Sequence, residues 1–176
     1  MYNFTKTLIT GKNITPGENS CKYIIWHHTW SSNTTGDVSV LSGNTSRPVS
    51  VHFLIGEGGE SYKLADPKSI CRHAWESQRG TDKDLNKMSL GIEITGSTAF
   101  DNDQFIEAVR LTRYLMRTFL IPKENVLTHA SVTREGSKDK KLRDGQSSSR
   151  KVDPNRSLWA ARGYQSFEQM RDFLLT

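Results

Sequence analysis

Cysteine is scarce in this chain: only Cys21 and Cys71 occur among 176 residues. Two is too few for a disulfide framework, so both are read as thiols that pack as small apolar side chains. Long apolar runs are missing too. No stretch approaches the roughly 18 apolar residues that a membrane span needs. The N-terminal MYNFTKTLITGKN lacks an apolar core followed by a small-residue cleavage site, so the expectation is synthesis in a cytoplasm without a signal peptide. If the protein acts beyond the membrane, another agent must release it. Internal repeats and long linkers are also lacking.

What is present describes a soluble globular chain. Hydrophobic residues make up 35% and charged residues 24%, outside the disordered range. The length suits one compact domain, expected to act as a monomer. The formal net charge of +5 favours an anionic partner such as nucleic acid, an anionic membrane or a bacterial wall. An ordinary solvated basic surface accounts for it equally well.

Patterning gives a mixed order of strands and helices. KYIIWH at 22–27 reads as a buried strand. The Ser-, Thr-, Asn- and Gly-rich stretch that follows reads as loop with room for a short helix. VSVHFLIGEGGESYKL at 49–64 is a hairpin signature: Val51, Phe53 and Ile55 alternate with His52 and Leu54 ahead of a Gly58-Gly59 turn. SLGIEIT at 89–95 is another strand, with Leu90, Ile92 and Ile94 on one face and Gly91, Glu93 and Thr95 on the other. Asp101 or Asn102 caps a helix whose stripe is Phe105, Ala108, Val109, Thr112, Leu115, Met116 and Phe119, and Pro122 ends it. Asn125–Thr128 is a short strand delivering His129. Residues 131–150 form a long polar, charged loop. Ser166–Leu174 is a short amphipathic helix burying Phe167, Met170, Phe173 and Leu174. The expected fold is α/β: a single domain with a central mixed β-sheet flanked by α-helices.

Chemically capable residues stand at strand ends, where α/β proteins commonly build sites. His27-His28 follows the first strand, and only one of the pair can face a given site. Glu93 lies in an apolar strand, where a charged carboxylate needs a partner, a solvated cleft or an exposed face. His129 follows a short strand. Lys151 and Asp153, two apart, project the same way in an extended segment. Two neutral imidazoles with one carboxylate form the ligand set of many catalytic zinc sites. Glu93 then suits a general base and Lys151 an oxyanion stabiliser. The HExxH helix of common zinc proteases is absent, as is the paired-cysteine spacing of structural zinc fingers.

At this point the sequence resembles the type 2 N-acetylmuramoyl-L-alanine amidases, which include phage endolysins, cytosolic wall-recycling amidases and the peptidoglycan recognition proteins. The matching blocks are IIWHHTW at 24–30, VSVHFLIGEGGESYKL at 49–64, RHAWES at 72–77, SLGIEITG at 89–96, VLTHASVT at 126–133 and RKVDPN at 150–155, in the family's order. The resemblance implies Zn2+ held by His27, His129 and Asp153. It further implies Lys151 holding the reacting carbonyl, Glu93 as base, and His73 lining the substrate cleft. His28 is read as structural. His52 is read as packing or hydrogen-bonding near the site, and is carried with His73 as a substrate-binding candidate. Three departures stand out. Val51 replaces a tyrosine common in phage and animal members, which puts more weight on Glu93. Trp75 replaces the glycine of an H-A-G block. The loop between His129 and Asp153 is long and basic.

The implied partner is peptidoglycan or its muropeptides, and the implied role is that of a phage or prophage endolysin. A cytosolic amidase trimming soluble anhydro-muropeptides is the neighbouring alternative. A binding-only domain is disfavoured because Asp153 is present. A nucleic-acid partner is not expected, because the basic segment has few aromatics and no recognised motif.

Overall fold

The computed structural model describes residues 2–8, 11, 13–43, 45–137 and 153–175. In chain order the elements are β1 Lys6–Thr7, β2 Ile14–Thr15, β3 Tyr23–His28, α1 Thr34–Leu41, β4 Phe53–Ile55, β5 Ser61–Lys63, β6 Ile70–Cys71, β7 Gln78–Arg79, β8 Asp82–Lys83, β9 Ser89–Ile94, α2 Asn102–Phe119, β10 Val126–Thr128 and α3 His129–Val132. Helices Ser157–Ala160 and Phe167–Leu174 close the described chain. The main sheet runs β1-β5-β4-β9-β3-β10, and β2–β6 and β7–β8 are separate pairs. Strands β4, β9, β3 and β10 are mutually parallel, whereas β5 is antiparallel to β4. The sheet is therefore mixed, as the pattern predicts, and its parallel strands end at one edge.

Alternation divides the sheet into two faces. Ile24, Trp26, Phe53, Ile55, Leu90, Ile92 and Ile94 pack with α2 and the C-terminal helices in the largest core cluster. Trp26 adds a polar tie, its indole Nε1–H donating to Thr112 Oγ1 at 2.9 Å. That bond explains a threonine on the apolar stripe of α2, because a buried indole N–H needs an acceptor. Helix α2 begins with a capping box between Asp101 and Gln104, which satisfies donors that a helix N-terminus leaves open. On the other face Tyr23, Ile25 and Leu127 pack with Ala74, Leu85 and Val132, while Leu54 meets Val51, Leu64 and α1.

Two side chains depart from the sequence pattern. Val51 packs with Leu54, not with Phe53 and Ile55, because strand pairing starts only at Phe53. Phe173 is 70% exposed although it was assigned to the buried stripe. At about 100° per residue it lies about 120° off the direction of Phe167, whereas Leu174 returns to within about 20°. Cys21 and Cys71 are both buried and free. Among the described residues no helix is long and apolar enough to cross a membrane.

His52 and Gly91 lock β4 to β9. The Gly91 N–H donates to His52 Nδ1 at 3.1 Å, so the ring proton sits on Nε2, which donates to Ser69 O at 2.9 Å. The ring is fully buried. The cleft position expected for His52 is thus corrected: its two nitrogens are committed to backbone, and it has no surface to offer a substrate. Gly91 is required for a different reason. A Cβ there would lie 2.7 Å from the His73 ring and 2.8 Å from Val51 Cγ2.

Two predictions follow from this lock. Gly91→Ala should destabilise the fold by about 1–3 kcal/mol through overpacking, read as a lower denaturation midpoint. Burial lowers the His52 pKa to about 4 despite its bond to Ser69. The unfolded ring protonates near 6.5, so stability is complete above that pH and falls as pH drops from 6.5 towards 4. The loss attributable to His52 is on the order of 3 kcal/mol. Urea denaturation at pH 7 and pH 5 should show it, and His52→Gln should flatten the slope.

Candidate metal centre

The parallel edge collects the predicted residues. His27 is the fifth residue of β3, and its Cα partner across the ladder is Glu93 on β9. The two side chains therefore leave the sheet side by side on one face. β10 pairs in parallel on the other flank of β3 and delivers His129 as the first residue of α3. Thr128 caps that helix: its hydroxyl accepts from Ser131 N, while Ser131 Oγ serves Thr128 N. The sequence T-H-A-S is thus a capping box that fixes the direction of His129. Asp153 arrives from far along the chain, and its carbonyl accepts the Ala130 N–H at 3.0 Å.

His27, His129 and Asp153 are all buried, and each offers a ligand atom within 4.8 Å of the other two. His129 Nδ1 lies 2.9 Å from Asp153 Oδ2, and His27 Nδ1 lies 3.7 Å from the same oxygen. Burial opposes ionisation of Asp153. The surrounding imidazoles of His129, His27 and His28 outweigh it and hold the carboxyl well below the ordinary range. An ionised carboxylate with two imidazole nitrogens is a donor set for a divalent metal.

Neighbouring groups set the direction of these donors. The other carboxylate oxygen, Asp153 Oδ1, accepts the His28 backbone N–H at 2.8 Å and the His28 Nδ1–H at 3.0 Å. His28 thus holds one oxygen and leaves the other turned to His27 and His129. On the far side, Ser89 Oγ–H donates to Leu85 O at 2.6 Å. Its lone pair is then the acceptor for His73 Nε2–H at 3.3 Å. His73 Nδ1 is therefore an acceptor, and it takes the Nε2–H of His27 at 3.0 Å. The chain of bonds assigns the His27 proton to Nε2 and makes Nδ1, the atom facing Asp153, the one that can ligate. These residues fit a metal on the geometry of this structure.

Beside the centre lies a cleft of about 790 Å³, lined by Trp30, Arg72, Trp75, by Glu93 and His73, the neighbours of His27, and by others. Glu93 is half-buried there, beside His27. His73 lines this cleft, and it is also the partner of His27, a contact no sequence pattern announced. Burial, followed by the neighbouring rings of His27, His52 and His129, holds its pKa well below 6.5. Ser89 was missed by the sequence reading, though it shares the parity of Gly91 and Glu93 along β9. Asn86 was missed without any local signal: its Oδ1 accepts the N–H groups of His73 and Ala74. Lys151 and the part of the 131–150 loop from 138 onward lie outside the described residues. His73→Ala is expected to weaken divalent-metal binding by about 10–100-fold, measured by competition with a chelator. Unchanged affinity would contradict the assigned role of His73.

Solved structures share this architecture. A selenomethionine derivative of AmpD is 16% identical with a TM-score of 0.71, covering 100% of this chain and 97% of its own. A mutant endolysin from Bacillus subtilis is 25% identical with a TM-score of 0.61, covering 86% of this chain and 98% of its own. AmiD from E. coli, in complex with the substrate anhydro-N-acetylmuramic acid-L-Ala-D-γ-Glu-L-Lys, is 20% identical with a TM-score of 0.59, covering 66% of this chain and 51% of its own. No curated protein matches the chain in sequence. The family description N-acetylmuramoyl-L-alanine amidase matches residues 17–156, a span that holds His27, Glu93, His129 and Asp153, and the chain therefore belongs to that family.

Proposed function

We propose that this protein is a zinc amidohydrolase that cleaves the amide between N-acetylmuramic acid and L-alanine in peptidoglycan, and that it serves as a phage or prophage endolysin. The observation that carries the reading is the meeting of His27, His129 and Asp153 within 4.8 Å, beside a cleft that contains Glu93. Likeness to the Bacillus subtilis endolysin over 98% of that chain supports the role. The proposed unit is one catalytic domain acting as a monomer.

His27, His129 and Asp153 would hold the zinc, which when bound would acidify water and polarise a carbonyl. Glu93, fixed beside His27 by strand register, orients the attacking water and takes its proton. That proton is then available to the leaving amine of L-alanine, so the carboxylate is regenerated. His28 keeps Asp153 anchored through Oδ1. His73 keeps the His27 ring in the orientation that points Nδ1 at the metal. Lys151 is assigned, from the family pattern, to the negative charge growing on the carbonyl oxygen.

A second reading, a cytosolic amidase for soluble anhydro-muropeptides, is favoured by an acidic third ligand together with Glu93, and AmiD holds such a fragment. Rates on polymeric wall and on soluble fragments separate the two.

Zinc-loaded protein should release stem peptides with N-terminal alanine from purified walls, detected by amino-group labelling. No release would sink the amidase reading. His27→Ala, His129→Ala and Asp153→Ala should lose metal and activity together. Glu93→Gln should keep the metal and lose about 10²–10⁴-fold in turnover. Lys151→Ala should keep the metal and slow turnover by about 10²–10³-fold. Metal retained at full affinity by the His129 variant would contradict the ligand set.

A further inference from the structure

Trp75 is held in a conformation that costs the fold something. Its φ is +43°, in the left-handed region that bulky L-residues avoid. Its side chain is not tucked away in return: the residue is 52% exposed. The backbone around it is clamped. Asn86 Oδ1 accepts from His73 N at 3.0 Å and Ala74 N at 2.8 Å, and Asn86 Nδ2 donates to Trp75 O at 3.3 Å. Ser77 Oγ donates to the same carbonyl at 3.4 Å. Strain of this kind persists where surrounding bonds over-determine it, and it gathers at ligand-contacting positions. An exposed indole fixed in this way contributes contact area to something other than the core.

Its place indicates what that is. Trp75 lines the 790 Å³ cleft beside the candidate metal centre and also a second hollow of about 540 Å³. Pro48 and Arg72 line both as well, so the two adjoin at the indole. The second hollow mixes Glu76, Asp84, Lys87 and Arg72, with Asp84 and Lys87 paired at 3.2 Å. Acids and bases side by side suit a neutral ligand rich in hydroxyl and acetamido groups better than a row of carboxylates. A flat aromatic face beside such groups suits the C–H face of a pyranose ring.

We propose that Trp75 is a stacking platform for a sugar ring, and that the 540 Å³ hollow is a subsite for the glycan strand running on from the sugar whose amide lies at the metal. The inference rests on the amidase reading and extends it to the substrate: the protein engages a polymeric glycan, not only a muramyl peptide. Trp75 is therefore a specificity residue that acts on chain binding and takes no part in the chemistry.

The direct probe is the tetramer of β-1,4-linked N-acetylglucosamine, which carries neither stem peptide nor scissile amide. Calorimetric titration of the zinc-loaded protein should show binding, weakened about tenfold in Trp75→Ala and largely kept in Trp75→Tyr. Trp75→Gly relieves the positive φ, so it should melt at or above the wild-type temperature while losing the same binding. In cleavage assays Trp75→Ala should lower kcat/KM about tenfold more on polymeric wall than on muramyl dipeptide. Unaltered tetramer binding in Trp75→Ala would overturn the platform, as would an equal loss on wall and dipeptide. Weakened binding of free stem peptide, with tetramer binding intact, would overturn it in favour of a peptide subsite. A wild-type protein that cleaves neither substrate but binds the tetramer through Trp75 would sink the amidase reading and leave the platform standing.

Discussion

The carboxylate of Asp153 is the junction on which the centre depends. One oxygen is held at the end of β3 by the backbone and ring of His28, and the other is turned to His129 and His27. A buried carboxylate is costly unless its hydrogen-bonding capacity is met. Here the groups that meet it are also the groups that position it. The carbonyl of the same residue accepts the Ala130 N–H, so the segment is sewn to the sheet edge at both backbone and side chain. Removing this residue would leave three imidazoles converging on a hole.

The polar groups behind the metal centre form a directed chain, and direction is what makes it informative. Leu85 O and Ser69 O can only accept, and the Gly91 N–H can only donate. Those fixed ends decide the ring protons of His73, His27 and His52 in turn. Ring centroids of His129 and His27, His27 and His73, and His73 and His52 stand 4.7, 5.1 and 5.6 Å apart. Such a row of buried rings is tolerable because the rings are bonded to one another, to backbone or to a carboxylate. It also makes the core acid-sensitive at His73 and His52, since protonating either would remove the Nδ1 acceptor that takes the His27 Nε2–H or the Gly91 N–H. The absence of a side chain at Gly91 is the steric condition for this arrangement, because the His73 ring occupies that space.

The cleft shows how strain and support are separated in this fold. The metal side is built on parallel strand ends and a capped helix, elements with little freedom. The rim is built on the loop through His73, Ala74 and Trp75, which has no ladder of its own. Asn86 supplies the missing bonds and thereby fixes both a ring that touches a ligand residue and an indole that faces solvent. One amide side chain thus links the candidate metal centre to the proposed sugar platform beside it.

Much of this was legible in the sequence. Period-2 alternation gives β3 and β9, the apolar stripe gives α2, and placing chemically capable residues at strand ends singles out His27 or His28, Glu93, His129 and Asp153. These signals are local, set by the backbone repeat of a strand or helix. The backbone-bonded place of His52, the His73–His27 bond and the outward turn of Phe173 were decided only by tertiary packing. The reason is separation: His28 and Asp153 are 125 residues apart, and no repeat along the chain encodes such a pair. Sheet order and register bring them together, and each ring's role then follows from the donor or acceptor that happens to face it.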